Sequence, residues 1–329
     1  VFRDPLKEGT LSRELYPDVQ WIWMNGRLVE FEKATVHVMT HALHYGSGVF
    51  EGVRCYKGKQ GSAVFRLPEH TKRLRNSAKI YRMELPLSDA EINEAILETI
   101  RANEFDACYI RPLVFRGFGQ MGVNPLKAPV EMTIAVWPWG RYLGEDAIER
   151  GVEVCVSSWR RAAPSTFPAT AKATGNYLNA QLIKMEALGN GYAEGIGLDI
   201  SGHVGEGSGE NLFLVKDGVL ITPPVASSLL SGITRDAVMK IAVDLGIPVR
   251  ENLVPRGLLY TCDELFFTGT AVEIAPICSV DRITVGEGRP GEITRQLITE
   301  FQRIITGETP DRHGWLTPVE VPVAREVVS

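Results

Sequence analysis

Apolar and polar residues alternate along residues 21–29, with Asn25-Gly26 in the middle. That pattern predicts two strands joined by a tight hairpin turn, since both turn residues tolerate positive φ. The period then lengthens: Leu74, Ala78 and Tyr81 recur at helical spacing within residues 69–82. Ser88-Asp89-Ala90-Glu91 has the form of a capping box, predicting a helix through Ile92, Ile96 and Ile100. Residues 107–115 and 130–136 are rich in β-formers, so the first part of the chain reads as mixed sheet and helix.

Residues 137–149, with Pro138, Gly140 and Gly144, read as a connector. Beyond them strands are predicted at 152–156, 195–200, 212–215 and 219–222, and helices at 233–245 and 292–305. The chain has no internal repeat. The expectation is an α+β protein with a small N-terminal domain (residues 1–136), an interdomain loop (137–149) and a larger domain (150–329). A length of 329 residues suits two domains, and the cleft between them is a common place for a ligand.

Composition narrows the function. With 44% hydrophobic and 23% charged residues the chain has the balance of a soluble globular protein. A net charge of -5 leaves no basic footprint for nucleic acid or an anionic membrane, and no apolar run is long enough to span a bilayer. The first twenty residues mix acids and bases, unlike a signal or transit segment. Five scattered cysteines without a C-x-x-C pair argue against a disulfide framework or zinc ribbon, and a cytoplasmic setting is expected.

Two motifs are set aside. Gly117-Phe118-Gly119-Gln120-Met121-Gly122 matches a dinucleotide fingerprint, but Pro125 and Pro129 follow where a helix would have to open. It reads as a loop between strands. His37, His41 and His44 have spacing for one helical face, yet residues 35–38 alternate like a strand, so no metal site is assigned.

Four segments carry chemistry. Lys172 lies among small residues in Ala171-Lys172-Ala173-Thr174-Gly175, which leaves an amine nucleophile free to swing. Glu206, in a glycine-rich turn between strand runs, could pair with a protonated ring nitrogen and raise that nitrogen's pKa. Ser231-Gly232-Ile233-Thr234 opens a helix, whose free N–H groups and dipole make a seat for phosphate. Phe267-Thr268-Gly269-Thr270-Ala271 is a second strand-to-turn edge with exposed donors.

In this order the four segments resemble the fold type IV pyridoxal-phosphate enzymes, in which a small mixed domain joins a larger pseudo-barrel. His41-Ala-Leu-His-Tyr-Gly, Val49-Phe-Glu-Gly, Tyr109-Ile-Arg-Pro and Gly122-Val-Asn-Pro look like the bacterial branched-chain aminotransferases of that group. The resemblance covers residues 21–315. It implies that Lys172 carries pyridoxal 5'-phosphate and that Glu206 partners the pyridine nitrogen. Tyr177 is similar to the residue bonding the phenolic oxygen. Arg73, Ile233, Thr234 and Thr270 resemble the phosphate clamp, with Leu230 packed on the ring. Tyr109 and the backbone of Thr270 and Ala271 resemble the α-carboxylate site. Tyr45, Phe50, Trp139 and Tyr142 resemble the side-chain pocket, with Arg54 and Arg111 at its edge. Met121 and Val123 look like a loop reaching a neighbouring subunit's pocket, which implies at least a homodimer.

The implied activity is transamination of leucine, isoleucine and valine with 2-oxoglutarate. The cofactor-binding segments alone do not separate this from D-amino-acid or amine aminotransferases, from aminodeoxychorismate lyase, or from a noncatalytic cofactor-binding protein. The motifs of the first domain favour branched-chain substrates.

Overall fold

The turn at Asn25-Gly26 forms as the alternation predicts. Strands β1 (Trp21–Met24) and β2 (Arg27–Glu30) pair antiparallel, and Asn25 and Gly26 take φ of 49° and 96°. This computed structural model describes residues 15–140, 143 and 147–319. Helix α1 (His41–Tyr45) leads into β3 (Gly48–Phe50), β4 (Val53–Gly58) and β5 (Gly61–Phe65). Helix α2 (Leu67–Ile80) buries Leu67, Leu74 and Ala78. Helix α3 (Asp89–Ala102) starts at the predicted box: Ser88 Oγ accepts from the Glu91 N–H, and the Glu91 carboxylate accepts from the Ser88 N–H at 2.7 Å. It buries Ile92, Ile96 and Ile100 against the sheet that holds β6 (Cys108–Arg116) and β7 (Val130–Trp137). The glycine-rich stretch after Arg116 is a loop between those strands, and only a short 3₁₀ turn interrupts it.

The second half contributes α4 (Ala147–Arg150), β8 (Val152–Val156), α5 (Tyr177–Gly189), β9 (Glu194–Leu198) and β10 (Val204–Gly207). Next come β11 (Asn211–Lys216), β12 (Val219–Thr222), α6 (Ile233–Asp244) and β13 (Val249–Glu251). The chain continues with β14 (Glu264–Gly269), β15 (Glu273–Val280), β16 (Ile283–Thr284), α7 (Glu292–Ile305) and β17 (Leu316–Pro318). The strand predicted at 195–200 thus begins one residue earlier and ends at Leu198. Helix α5 is absent from the sequence expectations.

Two sheets result, the first antiparallel throughout and the second mixed, consistent with an α+β fold. One runs β17-β5-β4-β6-β7-β1-β2 with β3 on β6; the other runs β10-β9-β8-β15-β14-β11-β12-β13 with β16 on β15. Each sheet draws its strands from one side of residues 137–149, except that β17 returns to pair with β5 in the first sheet. No helix among the described residues is long and apolar enough to cross a membrane. One junction between the halves is a lysine: the Phe50 N–H donates to the Lys172 carbonyl at 2.9 Å, and the Lys172 N–H to Ser77 Oγ at 3.0 Å.

Candidate active site

This junction puts Lys172 in the wall of a cavity of about 180 Å³ between the two sheets. Its neighbours Ala171 and Ala173 are buried and small, so the backbone is fixed there while the side chain is left uncrowded and lines the cavity. Nζ donates to Tyr177 Oη at 2.5 Å and lies 4.9 Å from the centre of the Phe50 ring.

Across the cavity stands Glu206 on β10. Its Oε1 accepts from Arg161 Nη2 at 2.5 Å, and its Oε2 from Asn211 Nδ2 at 3.0 Å and the Leu230 N–H at 3.1 Å. Burial pushes this carboxyl up, and the Arg161 charge, the Leu230 N–H and the charges of Lys172 and Arg73 oppose it without cancelling the rise. The carboxylate is therefore held in place yet under-compensated, ready for a cation from the cavity side. Gly232 makes this possible, because a Cβ there would sit 1.8 Å from Asn211 Oδ1.

Gly232 also caps α6 without a side-chain hydrogen bond, so the first N–H groups of that helix, at Ile233 and Thr234, have no intrahelical acceptor. Both residues line the cavity, together with Leu230, Thr270 and Ala271. Arg73 reaches the same corner from α2, where Nη1 donates to the Ser231 carbonyl at 3.0 Å. Its Nε and Nη2 are locked by the buried Glu51, at 2.7 and 2.8 Å. Burial alone would raise Glu51, but Arg73 and then His70 hold it well below the ordinary carboxylate range. Burial lowers His70 while Glu51 opposes that fall, and its Nδ1–H donates to the Glu51 carboxylate at 2.7 Å. The anion seat is thus a helix terminus plus an arginine whose own charge is largely balanced.

The remaining wall is aromatic. Tyr109 and Trp139 meet edge to face at 4.3 Å, and the Arg111 guanidinium lies 4.8 Å from the Phe50 ring and 5.2 Å from that of Tyr109. Arg111 Nη2 donates to Tyr109 Oη at 3.2 Å. The approach of Tyr109 requires Gly52, where a Cβ would fall 2.0 Å from its hydroxyl.

Not every residue expected at the site lines this cavity. Arg54 is turned into a buried ion pair with Glu273 at 2.7 Å. Tyr45 lines a separate, largely apolar groove with Leu43, Phe167 and Leu178. Val123 is 87% exposed, and the loop it shares with Met121 is tied down where His41 Nε2 donates to the Gly122 carbonyl at 2.8 Å. Only His41 and His44 fall on α1; His37 precedes it and its Nδ1 accepts from the Met39 N–H. Tyr142 lies outside the described residues. Sequence reasoning missed Glu51, His70, Arg161 and Asn211, which hold the others. Glu51 lay within a motif already singled out; Arg161 carries no local signal.

An amine, a carboxylate, and a helix terminus with an arginine converge on one cavity. The buried Thr268 Oγ1 in its wall finds no hydrogen-bond partner among the described residues. This set of groups fits a ligand with a carbonyl, a basic ring nitrogen and a phosphate, as pyridoxal phosphate has.

Comparison with known proteins agrees. The family model described as amino-transferase class IV matches residues 48–280. The branched-chain-amino-acid aminotransferase of Salmonella typhimurium is 55% identical over 300 residues, covering 91% of this chain and 97% of that protein. The crystal structure of the Escherichia coli branched-chain amino acid aminotransferase superposes with a TM-score of 0.91 at 53% identity, over 92% of this chain and 100% of that one. The T.th. branched-chain amino acid aminotransferase with pyridoxamine 5'-phosphate gives 0.89 at 47% identity, over 92% and 99%. That protein has also been solved with N-(5'-phosphopyridoxyl)-L-glutamate and with 4-methylvaleric acid. Similarity of this extent, together with the convergent groups around Lys172, shows that the chain belongs to the class IV aminotransferases and, among them, to the pyridoxal-phosphate-dependent branched-chain-amino-acid aminotransferases.

Proposed function

We propose that this chain transfers the amino group of leucine, isoleucine or valine to 2-oxoglutarate, giving branched-chain 2-oxo acids and L-glutamate in two half-reactions at one cavity. The observation that carries the reading is the aromatic wall beside Lys172, where the rings of Phe50, Tyr109 and Trp137 surround the cationic Arg111 and Trp139 extends the lining of the cavity. Apolar rings suit a branched side chain; a guanidinium over those rings suits the γ-carboxylate of glutamate. The relative solved with both a glutamate adduct and 4-methylvaleric acid supports one pocket for both shapes.

Pyridoxal phosphate, when bound, supplies a reactive carbonyl and a ring that withdraws electrons from the substrate's Cα. The protein does the rest. Arg73, Thr234, Thr270 and the N–H groups that open α6 would hold the phosphate, Leu230 would pack on the ring, and Glu206 would keep the ring nitrogen protonated. Tyr177 holds the phenolic oxygen and steadies the Lys172 amine, which removes the Cα proton and returns a proton to the product side. Tyr109 and the backbone of Thr270 and Ala271 orient the α-carboxylate.

In this reading residues 1–136 and 150–329 act as two domains about the 137–149 loop, which brings Trp139 to the pocket. Tyr45, Met121 and Val123 serve the pocket of a second copy, and their position on the surface away from their own cavity supports at least a dimer. Five unpaired cysteines support a reducing, cytoplasmic setting. The test is leucine with 2-oxoglutarate as sole substrates: glutamate should accumulate in equal amount with 4-methyl-2-oxopentanoate. Absence of glutamate with any of the three donors would overturn the proposal.

A further inference from the structure

Trp139 borders two spaces. It lines the active-site cavity and also a second cavity of about 250 Å³, with Arg54, Tyr56, Cys108, Glu273 and Gln302. Its ring stacks on Trp137 at 5.7 Å and meets Tyr109 edge to face, but open space adjoins the residue, so its place depends on how its backbone is held as well as on ring packing. The hold is visible: Arg54 Nη2 donates to the Trp139 carbonyl at 3.2 Å and to the Gly140 carbonyl at 2.7 Å. Arg54 Nη1 is anchored in turn by Glu273 Oε1 at 2.7 Å, and Glu273 Oε2 accepts from Gln302 Nε2 at 2.7 Å. Glu273 adopts a left-handed φ of 57°, unusual for a residue other than glycine, directly after the turn that carries Thr270 and Ala271.

From this geometry we infer that Glu273, acting through Arg54, is a positioning residue that fixes the Trp139 wall and so limits the size of side chain the pocket accepts. The inference rests on the proposed transamination of branched-chain donors. Both carboxylate oxygens of Glu273 are occupied by protein donors and neither Glu273 nor Arg54 lines the active-site cavity, so the pair acts on substrate through the groups it holds, and Arg54 reaches the wall at the Trp139 and Gly140 carbonyls.

The experiment compares wild type with Glu273→Gln and Arg54→Lys as holoenzymes. Gln keeps an acceptor for Arg54 but loses the charge; Lys keeps the charge but cannot fork to two carbonyls and a carboxylate. Each variant should lower the ratio of kcat/KM for leucine over phenylalanine by about tenfold, as the wall recedes into the space behind it. Two unreactive acids provide a readout without turnover: binding of 4-methylpentanoate, followed by tryptophan fluorescence, should weaken about tenfold while 3-phenylpropanoate binds as before or tighter. An unchanged ratio, or equal loss for both acids and both donors, would overturn the inference and leave only a structural role. Should Glu273→Gln fail to fold, Arg54→Lys carries the test. If wild type transaminates no branched-chain donor, the proposed function fails, and the two acids still decide whether Glu273 sets the wall.

Discussion

Replacing Arg111 with methionine should separate the two half-reactions. Methionine preserves much of the arginine stem, so leucine would still meet an apolar wall made with Phe50 and Trp139. What disappears is the guanidinium, held 4.8 Å over the Phe50 ring and bonded to the Tyr109 hydroxyl, with an Nε that is buried and finds no hydrogen-bond partner among the described residues. A γ-carboxylate entering this wall would otherwise be desolvated without a donor. A charge-assisted hydrogen bond contributes roughly 1.5–3 kcal/mol, and the fork offers more than one donor. A loss of about 2.7 kcal/mol is the expectation, which is roughly 100-fold in the second-order rate constant for glutamate and 2-oxoglutarate. Leucine should change by less than about threefold, since no charge-assisted bond is lost. Stopped-flow absorbance of each half-reaction measures the two constants independently. Equal losses for leucine and glutamate would refute the reasoning and leave Arg111 as a support for Tyr109 or a partner of the α-carboxylate.

Lys172→Ala should bind the cofactor without its usual visible absorption and lose essentially all turnover, because no other lysine among the described residues lines the cavity; appreciable activity would refute the role. Arg73→Ala should lower cofactor affinity and also Tm, since it leaves the buried Glu51 carboxylate without its guanidinium and with His70 as its remaining side-chain partner, at a cost of about 3–5 kcal/mol. Adding Glu51→Gln should restore much of the Tm but not the affinity, as read by thermal scans and cofactor titration; affinity recovered along with Tm would move the phosphate elsewhere. Glu210, at the cavity edge, is pushed up to about 8 by burial and by the Glu194 charge. A carboxyl raised in the folded state contributes stability that is present at acid pH and lost as pH rises through about 8. The Tm advantage of Glu210→Gln over wild type should therefore grow between roughly pH 4.5 and 8 and level off above that, and a difference independent of pH would remove Glu210 from that account.

What could be read before folding was whatever is written locally. The Asn25-Gly26 turn, the Ser88 box and the start of α6 each depend on a few neighbouring residues and formed as predicted. Helix α5 escaped notice because its apolar residues are not confined to one face: Ala180, Ile183 and Ala187 make a narrow buried stripe, while Leu178, Met185 and Leu188 face outward. Lys172, Glu206 and Ile233-Thr234 were legible because glycines and small residues mark them. The groups that hold them were not. Arg161 meets Glu206 across 45 positions, and Arg54 meets Glu273 across 219, and neither pairing has any trace in local sequence. The same long reach turned Arg54 away from the cavity where motif position suggested it.

The return of β17 to the first sheet sets an order on biosynthesis. Until Leu316–Pro318 has been translated, β5 has no partner on its outer side, although Val64 and Phe65 there are already core residues. A nascent or truncated chain ending before Leu316 would present an open strand edge flanked by apolar side chains, the kind of surface that recruits other chains. The final described strand thus acts as a cap added last, and C-terminal shortening should register first as loss of soluble yield during expression, before any change in catalysis can be measured.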